Sequence, residues 1–372
     1  MSYVSIAVGN VFLGLATVVF LAYVLRRRDV FGNLRSFKGY FVVIGIFLAT
    51  MLLSALGSGH LAKGMKTFAE VMLWRMMPFV LILTALSDEE RATKRILCCS
   101  LLGIFIGSVC VIYQGLSGDL RASAFFGHPM TFAGWMCVYL PVLAIMFFDV
   151  KVVGKWRWLA GVLFLVVTAA LLFNATRGAW LAMIVVLSLL MLIYSLRDKR
   201  IAAFYLLFVF ALGTCLHTSA YLAERLNSST NLQANRQRVL IWTGALNMFK
   251  DHKLLGVGLG QYKDNYQKKY ILPQATEPKL EHAHSNLLQM LAENGLIGFL
   301  GFILLAGYIV CRNFLDWWRT RSPYALMAVS ATVGLFLQGL TEYNFGNSAV
   351  MKAYWLVLAC VLVLRAHEDD AK

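Results

Sequence analysis

The chain has 372 residues, 59% of them hydrophobic and 14% charged, with a mean hydropathy of +0.68. That composition excludes a soluble globular domain and points to a polytopic membrane protein. The net charge of +15, from 34 Lys+Arg against 19 Asp+Glu, would suggest a nucleic-acid partner in a soluble chain, but here no nucleic acid is expected and the question is which side of the bilayer the cations face.

A helix needs about 20 residues to cross ~30 Å of hydrocarbon. Eleven runs approach or meet that length, at 3–25, 39–56, 68–86, 96–115, 129–148, 158–174, 178–196, 201–219, 295–315, 324–341 and 349–365. The expected fold is therefore an all-α polytopic transmembrane bundle of 11–12 spans, forming one integral membrane domain over 1–372. The pair 158–174 and 178–196 is parted only by Ala175-Thr176-Arg177, which reads as a small turn outside.

Alternate connections carry 19 Lys or Arg, from Arg26, Arg27 and Arg28 through Arg91, Lys94 and Arg95 to Arg365 and Lys372. The short loops of the other side hold Lys63, Lys66, Arg121, Arg177 and Lys352. The positive-inside rule puts the first set in the cytoplasm and the N-terminus outside. The first run lacks a basic n-region and a cleavage site, so it reads as a retained helix. The seven cysteines lie in or at the ends of apolar runs without a pairing pattern, so neither disulfides nor a cysteine metal site is expected.

One outer segment stands apart. Residues 220–283 form a loop of 64 residues with nine Lys or Arg, continuing into a motif helix at 283–294. Loops of that length are usually functional. On a helical wheel Arg238 shares a stripe with Ile241, Trp242, Ala245 and Phe249, while Arg236 falls on the polar side. A guanidinium on an apolar stripe must be paired or must bind an anion. Treated the same way, 283–294 puts His284 with Leu287, Leu288 and Leu291, with Ser285, Gln289 and Glu293 facing away. The plainer alternatives are a hydrogen-bonded packing histidine and an arginine that snorkels to headgroups.

His284-Ser285, nine residues, Gly295, two residues, Gly298 resembles the His-[Asn/Ser/Gln]-x9-Gly-x-x-Gly signature of the O-antigen ligase family. Arg238-x-x-x-Trp242, followed by Gly256-Val257-Gly258-Leu259-Gly260, is similar to a pattern in the large periplasmic loop of the same superfamily. Asn174-Ala175-Thr176-Arg177-Gly178 resembles its Ser/Thr-Arg-Gly segment. The chain departs from the signature where two Thr often follow the second glycine and Phe299-Leu300 stand instead, and in having eleven spans where many relatives have twelve.

The resemblance implies a GT-C-like membrane glycosyltransferase that moves a saccharide from an undecaprenyl-pyrophosphate-linked glycan donor to a hydroxyl of a lipid A-core acceptor, among membrane lipids and on the periplasmic face. Arg177 and Arg238 would grip the pyrophosphate, for which the planar guanidinium is suited, and His284 would be the general base in an inverting transfer. No Asp-x-Asp pair lies outside, so no metal or other cofactor is expected. Secondary candidates are Arg121 and His128 on an outer loop, His282 beside the motif, Glu342 at the end of the tenth span, and Arg75 in the third, where an ionisable group is unusual. A polymerase using a second carrier-linked glycan as acceptor remains open. So does an anion or lipid transporter, although no inverted repeat or matched pair of broken helices favours one.

Overall fold

The computed structural model describes residues 2–26, 35–119, 121–196, 198–218, 232–276 and 280–370, and among these there is helix and no strand. The helices are α1 (Ser2–Arg26), α2 (Lys38–Leu56), α3 (Leu61–Ala85), α4 (Glu90–Leu116), α5 (Pro129–Phe148), α6 (Arg157–Asn174), α7 (Arg177–Ser195), α8 (Lys199–Thr218), α9 (Leu232–Asp251), α10 (Asn286–Thr320), α11 (Pro323–Gln338) and α12 (Ser348–Asp370). The protein is an all-α, multi-pass membrane bundle, with eight helices long and apolar enough to cross a bilayer among the described residues. Each of the eleven expected runs coincides with a helix, and the long connection supplies α9 and the short helical segments Tyr262–Asn265 and Tyr266–Tyr270.

Several boundaries differ from the sequence reading, among them the start of α3 at Leu61, which takes in Lys63 and Lys66, and the end of α12 at Asp370. Arg91, Lys94 and Arg95 form the first turns of α4 rather than a loop, with Lys94 paired to Glu90 at 2.7 Å across one helical turn. The α11 helix stops at Gln338, so Glu342 belongs to the loop that follows and not to a span. Gly339 and the turns Leu340 N–H to Leu337 O and Thr341 N–H to Gln338 O close the helix early.

The α5 helix is apolar on every side and lies at the centre of the bundle, packed by α6, α7, α11 and α12. Lipid is as apolar as leucine, so such helices associate through close packing and interhelical hydrogen bonds rather than through exclusion of water. Small residues supply the approach: a Cβ on Gly334 would stand 2.6 Å from the Cys137 carbonyl oxygen. Trp135 Nε1 donates to the Ala349 oxygen at 3.0 Å, tying α5 to α12.

Antiparallel succession puts residues 57–60, 117–119, 121–128, 175–176, 232–276, 280–285 and 339–347 at one end of the bundle. The other end carries most of the cations and is tied by Arg365, which donates to both Asp316 oxygens at 2.7 and 3.0 Å.

Candidate active site

At the end that holds the long connection, a small second core forms from Ile241, Ala245 and Met248 of α9, Tyr262, Tyr266 and Tyr270, and Ala283 and Ala292. It seats α9 against the first turns of α10. Arg238 is half-buried one turn ahead of Ile241, whereas Arg236 is exposed, as the wheel required; Met248 rather than Phe249 completes the buried stripe.

The wheel reading of 283–294 is overturned. The α10 helix begins at Asn286 with Ser285 as its cap residue, and His284 stands before it with a positive φ of 49°. That backbone region costs a residue with a Cβ about 1–2 kcal/mol. The polar residues are also the buried ones. Gln289 is 2% exposed and Glu293 4%, while Leu287, Leu288 and Leu291 are only partly covered. Both are buried because the chain before α10 folds back over this helix and needs partners: Gln289 Oε1 accepts from Ala283 N–H at 2.7 Å, and Glu293 Oε1 accepts from Tyr262 N–H at 2.9 Å.

A polar clamp joins the His284 segment to the 339–347 loop. Asn286 N–H donates to the Gly339 oxygen at 2.7 Å, its Nδ2 donates to Asn344 Oδ1 at 2.7 Å, and its Oδ1 accepts from Phe345 N–H at 3.1 Å. Asn344 in turn donates to the Leu335 oxygen and to Gln338 Oε1. Every one of these groups is buried, so losing one partner strands the other at roughly 1–3 kcal/mol. The clamp brings Glu342 to His284, with Nδ1 and Oε2 3.4 Å apart. That is longer than a tight hydrogen bond.

His282 stacks edge-on to His284, ring centroids 4.4 Å apart, and its Nδ1 accepts from His284 N–H. Burial, helped by the neighbouring His284, pushes the His282 imidazole down to about 4, so it is neutral at pH 7. Burial pushes the Glu342 carboxyl up, but the hydrogen bond and charge of His284, with His282 and His128 nearby, outweigh it and hold that carboxyl below the usual carboxylate range. His128 caps α5, its Nδ1 accepting from Met130 N–H at 3.3 Å. Burial depresses it, with Arg121 and His284 lowering it further and Glu342 opposing them, and both Arg121 and His128 are exposed. The ligand atoms of His282, His284 and Glu342 lie within 4.8 Å of one another, a spacing that could hold a metal ion.

The arginines approach from the sides. Gly178 packs against Thr341, where an added Cβ would be 2.2 Å from the hydroxyl, so Arg177 at the start of α7 abuts the loop bearing Glu342. Asn174 holds that turn by donating to the Ala122 and Pro129 oxygens, both at 2.9 Å. Arg75 Nη1 donates to the Phe345 oxygen at 3.2 Å from the other flank. Glu70, five residues earlier on α3, lies at the surface with its Oε1 3.9 Å from Lys66 Nζ.

Residues 160–303, which include Arg177, Arg238, the glycine run and His284, match the family model described as O-antigen ligase. That match supports a place in the O-antigen ligase and polymerase superfamily. No curated protein matches it. Members of this superfamily are membrane enzymes of glycosyltransferase type. Glu342, Arg75, Arg121 and His128 lie outside the matched stretch and reach the site only through the fold.

The glycines of the matched stretch have a structural task. Val257 and Gly258 N–H donate to the Ala292 and Glu293 oxygens at 2.9 Å, pinning the glycine run across the start of α10. Gly256 has φ 70°, and a Cβ there would stand 2.3 Å from the Glu293 carbonyl carbon. Backbone cannot yield as a side chain can, so Gly256→Ala should destabilise the protein by roughly 1–3 kcal/mol and lower its melting temperature in detergent. A variant with an unchanged melting temperature would show that this packing is not maintained.

Proposed function

We propose that the protein is an O-antigen ligase that transfers a glycan from undecaprenyl pyrophosphate to a hydroxyl of a lipid A-core oligosaccharide on the periplasmic face of the inner membrane. The observation that carries this reading is the His284–Glu342 pair, held by the buried asparagine clamp at the end of the bundle where Arg177, Arg75 and the Arg238 helix converge. In the proposed step Glu342 accepts a hydrogen bond from His284 Nδ1–H, which leaves Nε2 free to take the proton of the acceptor hydroxyl. The hydroxyl oxygen then bonds to the anomeric carbon as the bond from that carbon to the pyrophosphate oxygen breaks, with inversion. Arg238 and Arg177 stabilise the charge that develops on the leaving pyrophosphate. His282, neutral at pH 7, adds no competing positive charge beside the base.

Reconstitution in vesicles with a carrier-linked glycan, under a divalent-metal chelator, tests the reading. Offered lipid A-core or a second carrier-linked glycan, the protein should glycosylate the first. Lengthening of the second alone would make it a polymerase, and anion flux with neither product would make it a transporter. Turnover that vanishes in chelator and returns with a divalent ion would make His282, His284 and Glu342 metal ligands instead.

A further inference from the structure

A cavity of about 1140 Å³ lies between α1, α3, α4, α5 and α12, and its walls are almost wholly apolar. It extends along α4 from Ala92 to Gly103 and along α1 from Gly9 to Phe20, which at ~1.5 Å per residue is about 16 Å of membrane depth. Lys352 of α12 enters the lining at the active-site face, and Glu89 enters it at the opposite end. Lys352 Nζ lies 5.7 Å from the centroid of the Trp74 ring and bonds to Asn10 Oδ1, which also accepts from Trp74 Nε1 at 3.2 Å. Arg75, the next residue after Trp74, reaches the Phe345 oxygen in the loop that bears Glu342. An apolar channel headed by two cations, the second contacting the active-site loop, is complementary to a ligand with a long hydrocarbon chain and an anionic head.

We propose that this cavity holds the isoprenoid chain of the lipid-linked donor, with Lys352 and Arg75 on the phosphates at its mouth. The inference rests on the donor class of the proposed function and adds to it the site of the carrier. The cation–π contact and the Asn10 bond fix the ammonium at the lip of the cavity, where an unpaired charge in hydrocarbon would be costly and a phosphate offsets that cost. Arg177 and Arg238 then meet the same pyrophosphate from the glycan side, so the carrier lies along the bundle while the sugar reaches His284.

Gly103 offers a clean obstruction, because a Cβ there meets nothing within 4 Å. In Gly103→Trp, KM for a donor with the full-length isoprenoid should rise about tenfold or more while a donor cut to two isoprene units is turned over as by the unaltered protein; equal effects on both donors, or none, overturn the proposal. A polyprenyl pyrophosphate without sugar and with a photoreactive chain end should label α1 or α4, also in His284→Ala protein. Labelling confined to other helices refutes the cavity. Labelling of α1 or α4 in a protein that transfers no glycan supports the cavity and refutes the reaction. Lys352→Gln should weaken this probe about tenfold, the size of one charge-assisted contact, and leave the uncharged polyprenol unaffected; equal weakening of both would remove Lys352 from the headgroup.

Discussion

His284→Ala should lower kcat for glycan transfer by roughly 10²–10⁴-fold, the range for losing a positioned general base, and leave binding of the lipid-linked donor nearly unchanged. Single-turnover release of the pyrophosphate carrier measures the first, and equilibrium binding of the donor the second. Glu342→Gln keeps the shape of the carboxylate but presents an amide to Nδ1, so the favoured tautomer is lost and kcat falls as well. The decisive measurement is the pair. Groups that act as one unit lose activity once, so the double variant should be no slower than His284→Ala alone. Losses that multiply would mean that Glu342 serves the reaction by a separate route. Wild-type turnover in His284→Ala would leave the histidine as a packing residue only.

Arg238→Lys should cost roughly 10²–10³ in kcat, although it keeps the charge, because lysine offers a point charge where the guanidinium offers a planar fork. Arg236→Lys is the matched control. It lies two residues away on the same helix and is exposed, whereas Arg238 is half-buried one turn ahead of Ile241. Steady-state kinetics on both variants, with the thermal stability of each, separates a chemical loss from a folding loss. Full activity in Arg238→Lys would show that any cation suffices there and would remove bidentate binding of the pyrophosphate from the mechanism. A loss of equal size in Arg236→Lys would point to the surface charge of α9 as a whole rather than to one guanidinium.

Periodicity worked where one face of a helix meets one environment. The Arg238 stripe was legible because α9 lies on a single small core, so alternation along its sequence maps directly onto burial. The same wheel failed at His284 for two physical reasons. His284 has left-handed backbone and precedes the helix, so helical spacing does not apply to it. In addition, the helix that follows is covered on its polar side by the folded-back chain, so Gln289 and Glu293 are buried with hydrogen-bond partners while the leucines stay partly exposed. Sequence reading treats polar as outward; a backbone N–H in need of an acceptor reverses that sign. Nothing local marks Asn286 or Asn344 either, although they bridge two segments 58 residues apart.

What the sequence determined by itself follows from averages over many residues: a membrane chain, the runs that form helices, the cation-rich end, and the motifs that lie within the matched residues 160–303. Hydrocarbon thickness and the energy of an unpaired charge act on each segment separately, so they are written into it in order. What only the tertiary structure decided depends on distant segments meeting. The contact of Glu342 with His284, the packing of Gly256 on the Glu293 backbone, the approach of Arg75 through the Phe345 oxygen and the cavity headed by Lys352 are all made by side chains and backbone far apart in the chain. Each rests on a hydrogen bond or a close approach of a few ångströms, and such distances are set by the packing of α5, α11 and α12 around them, not by the residues' own neighbours.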